Sequence, residues 1–358
     1  MATTFKKINA DNDVTSTKTL LHEAIPITSS IVKGTYGTFP NEGNIKNYTH
    51  KMFQSVYDYP FLSSSANHIF DITFGYAAGS ALSGTSANHS QVSKKQNIYN
   101  QMAQICMGYD ATGSIQKFDE DGDLAGTATK INEAVFISFS RLLVKDEIKR
   151  GTFELKLGVN AQTASVMDKK VRIYDKGAST AYKTNSPVGE YGILYATNSV
   201  GVPVKNTSDH ACGLVFYQAG ICVISASVFQ TDILSSSVHY SGASSTPADV
   251  MVSSSIDVIA NGFRRRIDNI SFNNTTELNS TIYFCRANHN EFNYSANPTY
   301  LNGSKIRVKD SAEDMPVSYI TSVGLYSSDG TLLAVGKLSE PLKKEPSVEY
   351  TLRARLDY

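Results

Sequence analysis

Apolar and polar positions alternate with period two in some stretches of this chain, and short apolar runs bounded by Gly, Asn and Ser clusters mark others; both predict strands. His68, Phe70, Ile72 and Phe74 share one parity within Phe61–Tyr76. Ala134–Ser140, Thr152–Gly158, Lys170–Asp175, Tyr191–Ala196, Gly213–Tyr217 and Gly220–Ser225 read as further short strands, and the Tyr217–Ile221 connection is short enough for a hairpin. Phe263–Phe272 and Ser280–Arg286 continue the series. Helical spacing intervenes in a few places. Ile45, Tyr48, Met52, Phe53 and Val56 predict a helix over Asn44–Tyr57, ended by Pro60. Ile98, Met102, Ile105 and Cys106 predict another over Ser93–Tyr109, and Pro247–Ala260 reads as a third. Arg141–Arg150 reads as a short charged helix or wide turn.

The strongest local signal lies between Pro316 and Leu338. Two alternating arms flank Ser328-Asp329-Gly330, the signature of a hairpin whose turn needs positive φ, and Gly330 is the residue that supplies it. Gly324 sits in the first arm and also matters through its backbone. A third alternating strand, Thr351–Tyr358, is expected to pack against another subunit. The Phe292–Pro298 segment belongs with it in a C-terminal domain. The pattern predicts an α+β, β-rich fold. Its N-terminal half mixes helix and strand, and its C-terminal half forms an antiparallel β-sandwich or small barrel. The expected divisions are an extended arm over 1–30, a mixed α/β domain over 31–160, a β-rich domain over 161–260, and a C-terminal β domain over 261–358.

Charge and composition narrow the function. With 33 basic and 33 acidic residues the chain carries no net field, which argues against nucleic acid as a partner. Only 18% of residues are charged, so Ser, Thr and Asn supply much of the polarity, as suits turns and broad protein contacts. No apolar run is long enough to span a membrane, and Met1–Lys7 lacks the apolar stretch of a secretory leader. The four cysteines form no metal-binding pair and are expected as buried thiols of a protein made in a reducing cytoplasm.

Candidate chemistry is sparse. The acidic run Asp119-Glu-Asp-Gly-Asp123 fails the EF-hand pattern, with Leu124 at the sixth position and Lys130 at the twelfth, and reads as a solvated turn. None of the seven histidines stands in a motif with a nucleophile; His289 and Glu291 read as a surface pair. Arg264-Arg265-Arg266 is the dense basic run, expected to meet carboxylates on a neighbouring subunit. Glu133, Glu147 and Glu190 could serve a glycosidase, yet nothing in the sequence brings them together. No catalytic residue, cofactor or metal is expected.

Three blocks resemble virion structural proteins of contractile-tailed bacteriophages of marine cyanobacteria. The first joins Thr17–Thr28, Gly43–Tyr48 and Tyr57–Asp71; the second joins Lys95–Met102, Phe118–Asp123 and Phe139–Glu147. The third, the most specific, combines Phe292-Asn-Tyr-Ser-Ala-Asn-Pro298 with Ile320-Thr-Ser-Val-Gly-Leu-Tyr326 and Leu333-Ala-Val-Gly-Lys-Leu338. The resemblance implies a non-enzymatic building block of the tail or baseplate, a wedge or adaptor present in several copies. Its partners would be other phage structural proteins and copies of itself, and it would be made in the host bacterial cytoplasm. A neck or collar component, or a receptor- or glycan-binding module on the tail, is the alternative. The expected assembly residues are Phe292, Tyr294, Pro298, Gly324, Tyr326, Gly330, Arg353, Arg355 and Tyr358.

Overall fold

A computed structural model describes residues 5–28, 43–84, 89–126, 129–158, 170–198, 210–229, 251–295, 298, 301–302, 305–306, 313 and 315–358. The strands are β1 (Val14–Thr28), β2 (Ile45–Asn47), β3 (Gln54–Tyr57), β4 (His68–Tyr76), β5 (Glu133–Phe139), β6 (Glu147–Ile148), β7 (Glu154–Gly158), β8 (Lys170–Tyr174) and β9 (Tyr191–Asn198). They continue with β10 (His210–Phe216), β11 (Ile221–Ser225), β12 (Ile267–Ala287), β13 (Leu301–Asn302), β14 (Lys305–Ile306), β15 (Ser318–Tyr326), β16 (Leu332–Lys344) and β17 (Tyr350–Asp357). Helices are α1 (Ala10–Asp13), α2 (Val92–Cys106), α3 (Arg141–Val144) and α4 (Ile256–Arg266). Strand outweighs helix, 46% against 15%, so the fold is α+β and β-rich.

The chain divides into two compact units, Leu21–Thr276 and the pair Met1–Leu20 with Glu277–Tyr358. In the first, strands follow the order β12, β7, β8, β9, β10, β11, β5, β4, β3, β2, with β12 contributing its early residues. Phe216 pairs with Ile221 across the expected hairpin, and Cys222 pairs with Ile137. That second pairing seats β11 beside β5, so strands from both halves of the sequence share one sheet. The expected β-rich domain over 161–260 therefore does not form a sheet of its own. The core of this unit holds Phe70, Ile72, Phe74, Phe136, Ile137, Leu155, Leu194, Leu214, Phe216 and Val223, all fully buried or nearly so. Helix α2 buries Lys95, Ile98, Tyr99, Ala103 and Cys106, a stripe at three- and four-residue spacing.

Three expectations are corrected here. Asn44–Tyr57 is not a helix: β2 and β3 form a hairpin, with Ile45 opposite Val56 and Asn47 opposite Gln54. Phe263–Phe272 opens as the last turn of α4 and becomes strand at Ile267. The arginines 264–266 therefore end a helix, where cations meet the negative end of its dipole. Arg264 and Arg266 are buried within their own chain: Arg264 donates to Gln54 Oε1 (3.1 Å) and Asn261 Oδ1 (2.7 Å), and Arg266 to the Gly158 carbonyl (3.0 Å). Of the expected Pro247–Ala260 helix, residues 247–250 lie outside the described ones; residues 251–253 are helical, and after a break α4 runs from Ile256 through Ala260, as expected, to Arg266.

In the second unit, β12 carries β17 in a register running from Ser280 opposite Asp357 to Ala287 opposite Tyr350. Ser16 of β1 reaches Thr281 of β12, hydroxyl to hydroxyl at 3.3 Å. The C-terminal strand thus pairs with β12 of its own chain, and residues 14–28 of the expected N-terminal arm are a strand. β15 and β16 form a separate two-stranded ladder.

One buried carboxylate sets a pH dependence for the first unit. Asp175, directly after β8, accepts from the backbone N–H groups of Gly151 (2.7 Å) and Phe153 (3.1 Å) and from the Tyr217 hydroxyl (3.2 Å). Burial pushes its pKa up to about 6 against these donors. The unfolded carboxyl titrates near 4, so the native state binds the extra proton and stability falls as pH rises from about 4 to 6. At about 1.4 kcal/mol per unit this amounts to roughly 3 kcal/mol. Urea midpoints at pH 4, 5, 6 and 7 for the wild type and Asp175→Asn will show the wild-type advantage shrinking across that window. A constant difference would refute it.

Candidate assembly surface

The nine expected assembly residues all belong to the second unit. The turn between β15 and β16 is closed by Gly330 N–H to Ser327 O (3.1 Å) and Ser327 N–H to Thr331 O (2.9 Å). Asp329 accepts from the Thr331 amide (3.3 Å) and hydroxyl (3.0 Å), and the Thr331 N–H holds its carboxyl below the usual range. Gly330 takes φ +84°, the left-handed conformation that the sequence called for.

Gly324 matters for a different reason. A Cβ there would lie 2.9 Å from the Tyr326 ring and 3.3 Å from Leu332 Cδ1, because both side chains fold across its bare backbone. Phe5 then tilts against Tyr326 with ring centroids 4.7 Å apart. Register and alternation place Ser322, Gly324, Tyr326, Leu332, Val335 and Lys337 on one face of the hairpin, and Val323, Leu325, Ala334 and Gly336 on the other. The first face is open: Tyr326, Leu332 and Val335 are 45%, 50% and 62% exposed.

The base of the hairpin is pinned by a lysine that the alternating pattern did not single out. Lys344 is fully buried, and its ammonium donates to Asn293 Oδ1 (2.7 Å), Glu345 O (3.0 Å) and His289 O (3.3 Å). Ser318 donates from its hydroxyl to Phe292 O on the same side. These bonds fix the turn over 288–293, where Phe292 takes φ +55° and stays exposed, as do Tyr294 and Pro298. His289 and Glu291 are not a pair. Glu291 binds Lys6, whose hydrogen bond holds its carboxyl low, and His289 Nδ1 faces Glu349 at 3.2 Å.

Arg353 and Arg355 share the exposed row of β17. Arg355 is engaged within its own chain, donating to Asp357 Oδ1 (2.7 Å) and Ser280 Oγ (3.0 Å). Tyr358 is 75% exposed, with its hydroxyl 3.1 Å from Thr281 Oγ1. Apolar exposure is concentrated in this unit. Among the described residues it holds thirteen of the twenty large exposed apolar side chains, and its buried apolar residues are Ala287 and Leu325.

Two polar clusters of the first unit have the residue types of chemistry but a different arrangement. Ser55 donates to Asp71 Oδ1 (2.5 Å), and His68 Nε2 lies 2.9 Å from that same oxygen. The carboxylate sits between hydroxyl and imidazole, so the histidine is not placed to take the serine proton. Asp119, Asp121 and Asp123 bring carboxylate oxygens within 4.8 Å of one another. Asp119 is buried against Lys130, which supplies its counter-charge, so the run is not wholly the solvated turn expected of it. Of the three glutamates, Glu190 pairs with Arg150 and Glu133 accepts from Ser80.

The four cysteines are free thiols, with Cys106, Cys212 and Cys222 buried. Among the described residues no helix is long and apolar enough to cross a membrane. Set against protein-family profiles, curated proteins and solved structures, the chain matches none.

Proposed function

We propose that this chain is a structural component of a tailed-phage virion, in the tail or baseplate, and that it acts through protein–protein assembly without catalysis. The observation that carries the assembly reading is the second unit: long strands and a pinned hairpin with almost no buried apolar side chain of their own. Surfaces of this kind are completed by a partner, since a large obligate interface resembles a domain core cut in half. The phage assignment rests on the three sequence blocks, above all Phe292–Pro298 with the closing hairpin.

Mass spectrometry and electron microscopy of purified particles test it: the chain should be present in a fixed copy number in the tail or baseplate. Its absence from particles would refute the proposal. Within such particles Gly330→Val should lower incorporation, because a β-branched residue held at φ +84° costs about 1–3 kcal/mol and shifts the register of both arms.

A further inference from the structure

We infer that strand β15 is the edge through which two copies of this chain join, pairing antiparallel about a twofold axis to make a four-stranded sheet from two hairpins. The inference rests on the assembly reading and names its partner and its contact.

β15 is hydrogen-bonded to β16 on one side, and among the described residues no strand lies on the other. An uncovered edge presents a row of backbone donors and acceptors to any chain that can extend it, and folded proteins guard such edges with charge or proline. The other strands at the margins of this unit are guarded. The part of β1 in this unit carries Lys18; β16 carries Lys337, Glu340, Pro341, Lys343 and Lys344; β17 carries Arg353, Arg355 and Asp357. Ser318-Tyr-Ile-Thr-Ser-Val-Gly-Leu-Tyr326 has no charge and no proline over nine residues. Tyr319, Thr321, Ser322, Gly324 and Tyr326 are exposed along it.

A second copy fits this edge on symmetry and charge. In an antiparallel pair about a twofold axis the same strand serves as donor and acceptor on both sides, so one surface satisfies itself. An uncharged strand meets its own copy without like-charge repulsion, which a charged edge such as β17 would incur. The two copies of β15 then form the centre of the sheet and the two copies of β16 its outer strands, so the uncharged strand is the one that meets itself.

Thr321 is the test position, because it has no register partner on β16 and a change there spares the hairpin's own ladder. Analytical ultracentrifugation of the full chain should give a dimer, twice the 39.0 kDa of one copy. Thr321→Pro and Thr321→Lys should each weaken the dimer at least about tenfold, as edge proline and edge lysine do, while Thr321→Val leaves it unchanged. Thr321→Lys keeps the test decisive if the proline variant misfolds, and circular dichroism identifies that case. A wild-type chain that stays monomeric, a trimer, or a dimer indifferent to all three variants would overturn the inference. A monomeric chain that is still found in particles would remove the β15 pairing and leave the assembly reading intact.

Discussion

Hydrogen exchange on the isolated chain is expected to separate its two units by several orders of magnitude in protection. Amides of β4, β5, β10 and β11 lie over a core of fully buried phenylalanine, isoleucine and leucine side chains and should exchange only through global opening. For a domain of this kind that opening costs about 5–15 kcal/mol. Amides of β15 and β16 belong to a two-stranded ladder whose buried apolar residue is Leu325, and a lone hairpin is marginal in water. Their opening should cost no more than about 2 kcal/mol. At 1.4 kcal/mol per decade the gap is at least about a hundredfold and reaches many decades for the central strands. The β12–β17 ladder should fall between, because eight register pairs support it while most of its side chains remain partly exposed. Equal protection in both units would mean that the second unit stabilises itself, and the main argument for a partner would fail. Protection that rises in β15–β16 with protein concentration would follow from the pairing inferred above.

The features that were legible in the sequence are those decided within a few residues. The Ser-Asp-Gly turn is such a case: Asp329 caps Thr331 and Gly330 takes positive φ whatever the rest of the chain does. The shared parity of His68, Phe70, Ile72 and Phe74 sufficed for β4, while β5 and β10 showed as short, nearly continuous apolar runs, which fits strands buried on both faces. The hairpin of β2 and β3 was lost for a specific reason. Tyr48 and Phe53 fall at helical spacing, yet they pack on each other (4.6 Å) and on His50. Lys51 at φ +56° turns the chain between them, a conformation that a lysine does not announce.

Buried cations were beyond local reading altogether. Lys95 is held by the carbonyls of Met251 (2.7 Å), Val252 (3.1 Å) and Ser254 (2.7 Å), and burial draws its pKa down to about 8. Lys344 and Arg264 are likewise enclosed by acceptors brought from elsewhere. Each looks like a surface residue until distant backbone arrives. The expected assembly residues come from pattern and resemblance, whereas Lys344, which pins the turn beside Phe292, is visible only in three dimensions.

Phe118→Ala is expected to be the most damaging single change to the first unit, at about 3–5 kcal/mol. Phe118 directly precedes the acidic run Asp119–Asp123, which the sequence alone reads as a solvated turn. Its ring is instead fully buried, edge-on to Tyr99 (5.6 Å, 89°) and packed against Phe136 (5.7 Å) and Phe216 (6.2 Å). It therefore joins α2, β5 and β10 at one point, and its carbonyl accepts from Ile131 N–H (3.0 Å) to close the base of the loop. Truncation removes the aromatic contacts and leaves a void that three large rings cannot collapse to fill. Phe118→Leu keeps most of the volume and should cost well under half as much. Asp121→Asn, three residues on and exposed, should change stability by less than about 0.5 kcal/mol. Urea unfolding of the three variants, with the slope checked for constancy, orders them directly. If Phe118→Ala cost no more than Asp121→Asn, the loop would not be seated in the core, and the aromatic cluster would not be what ties helix α2 to the sheet.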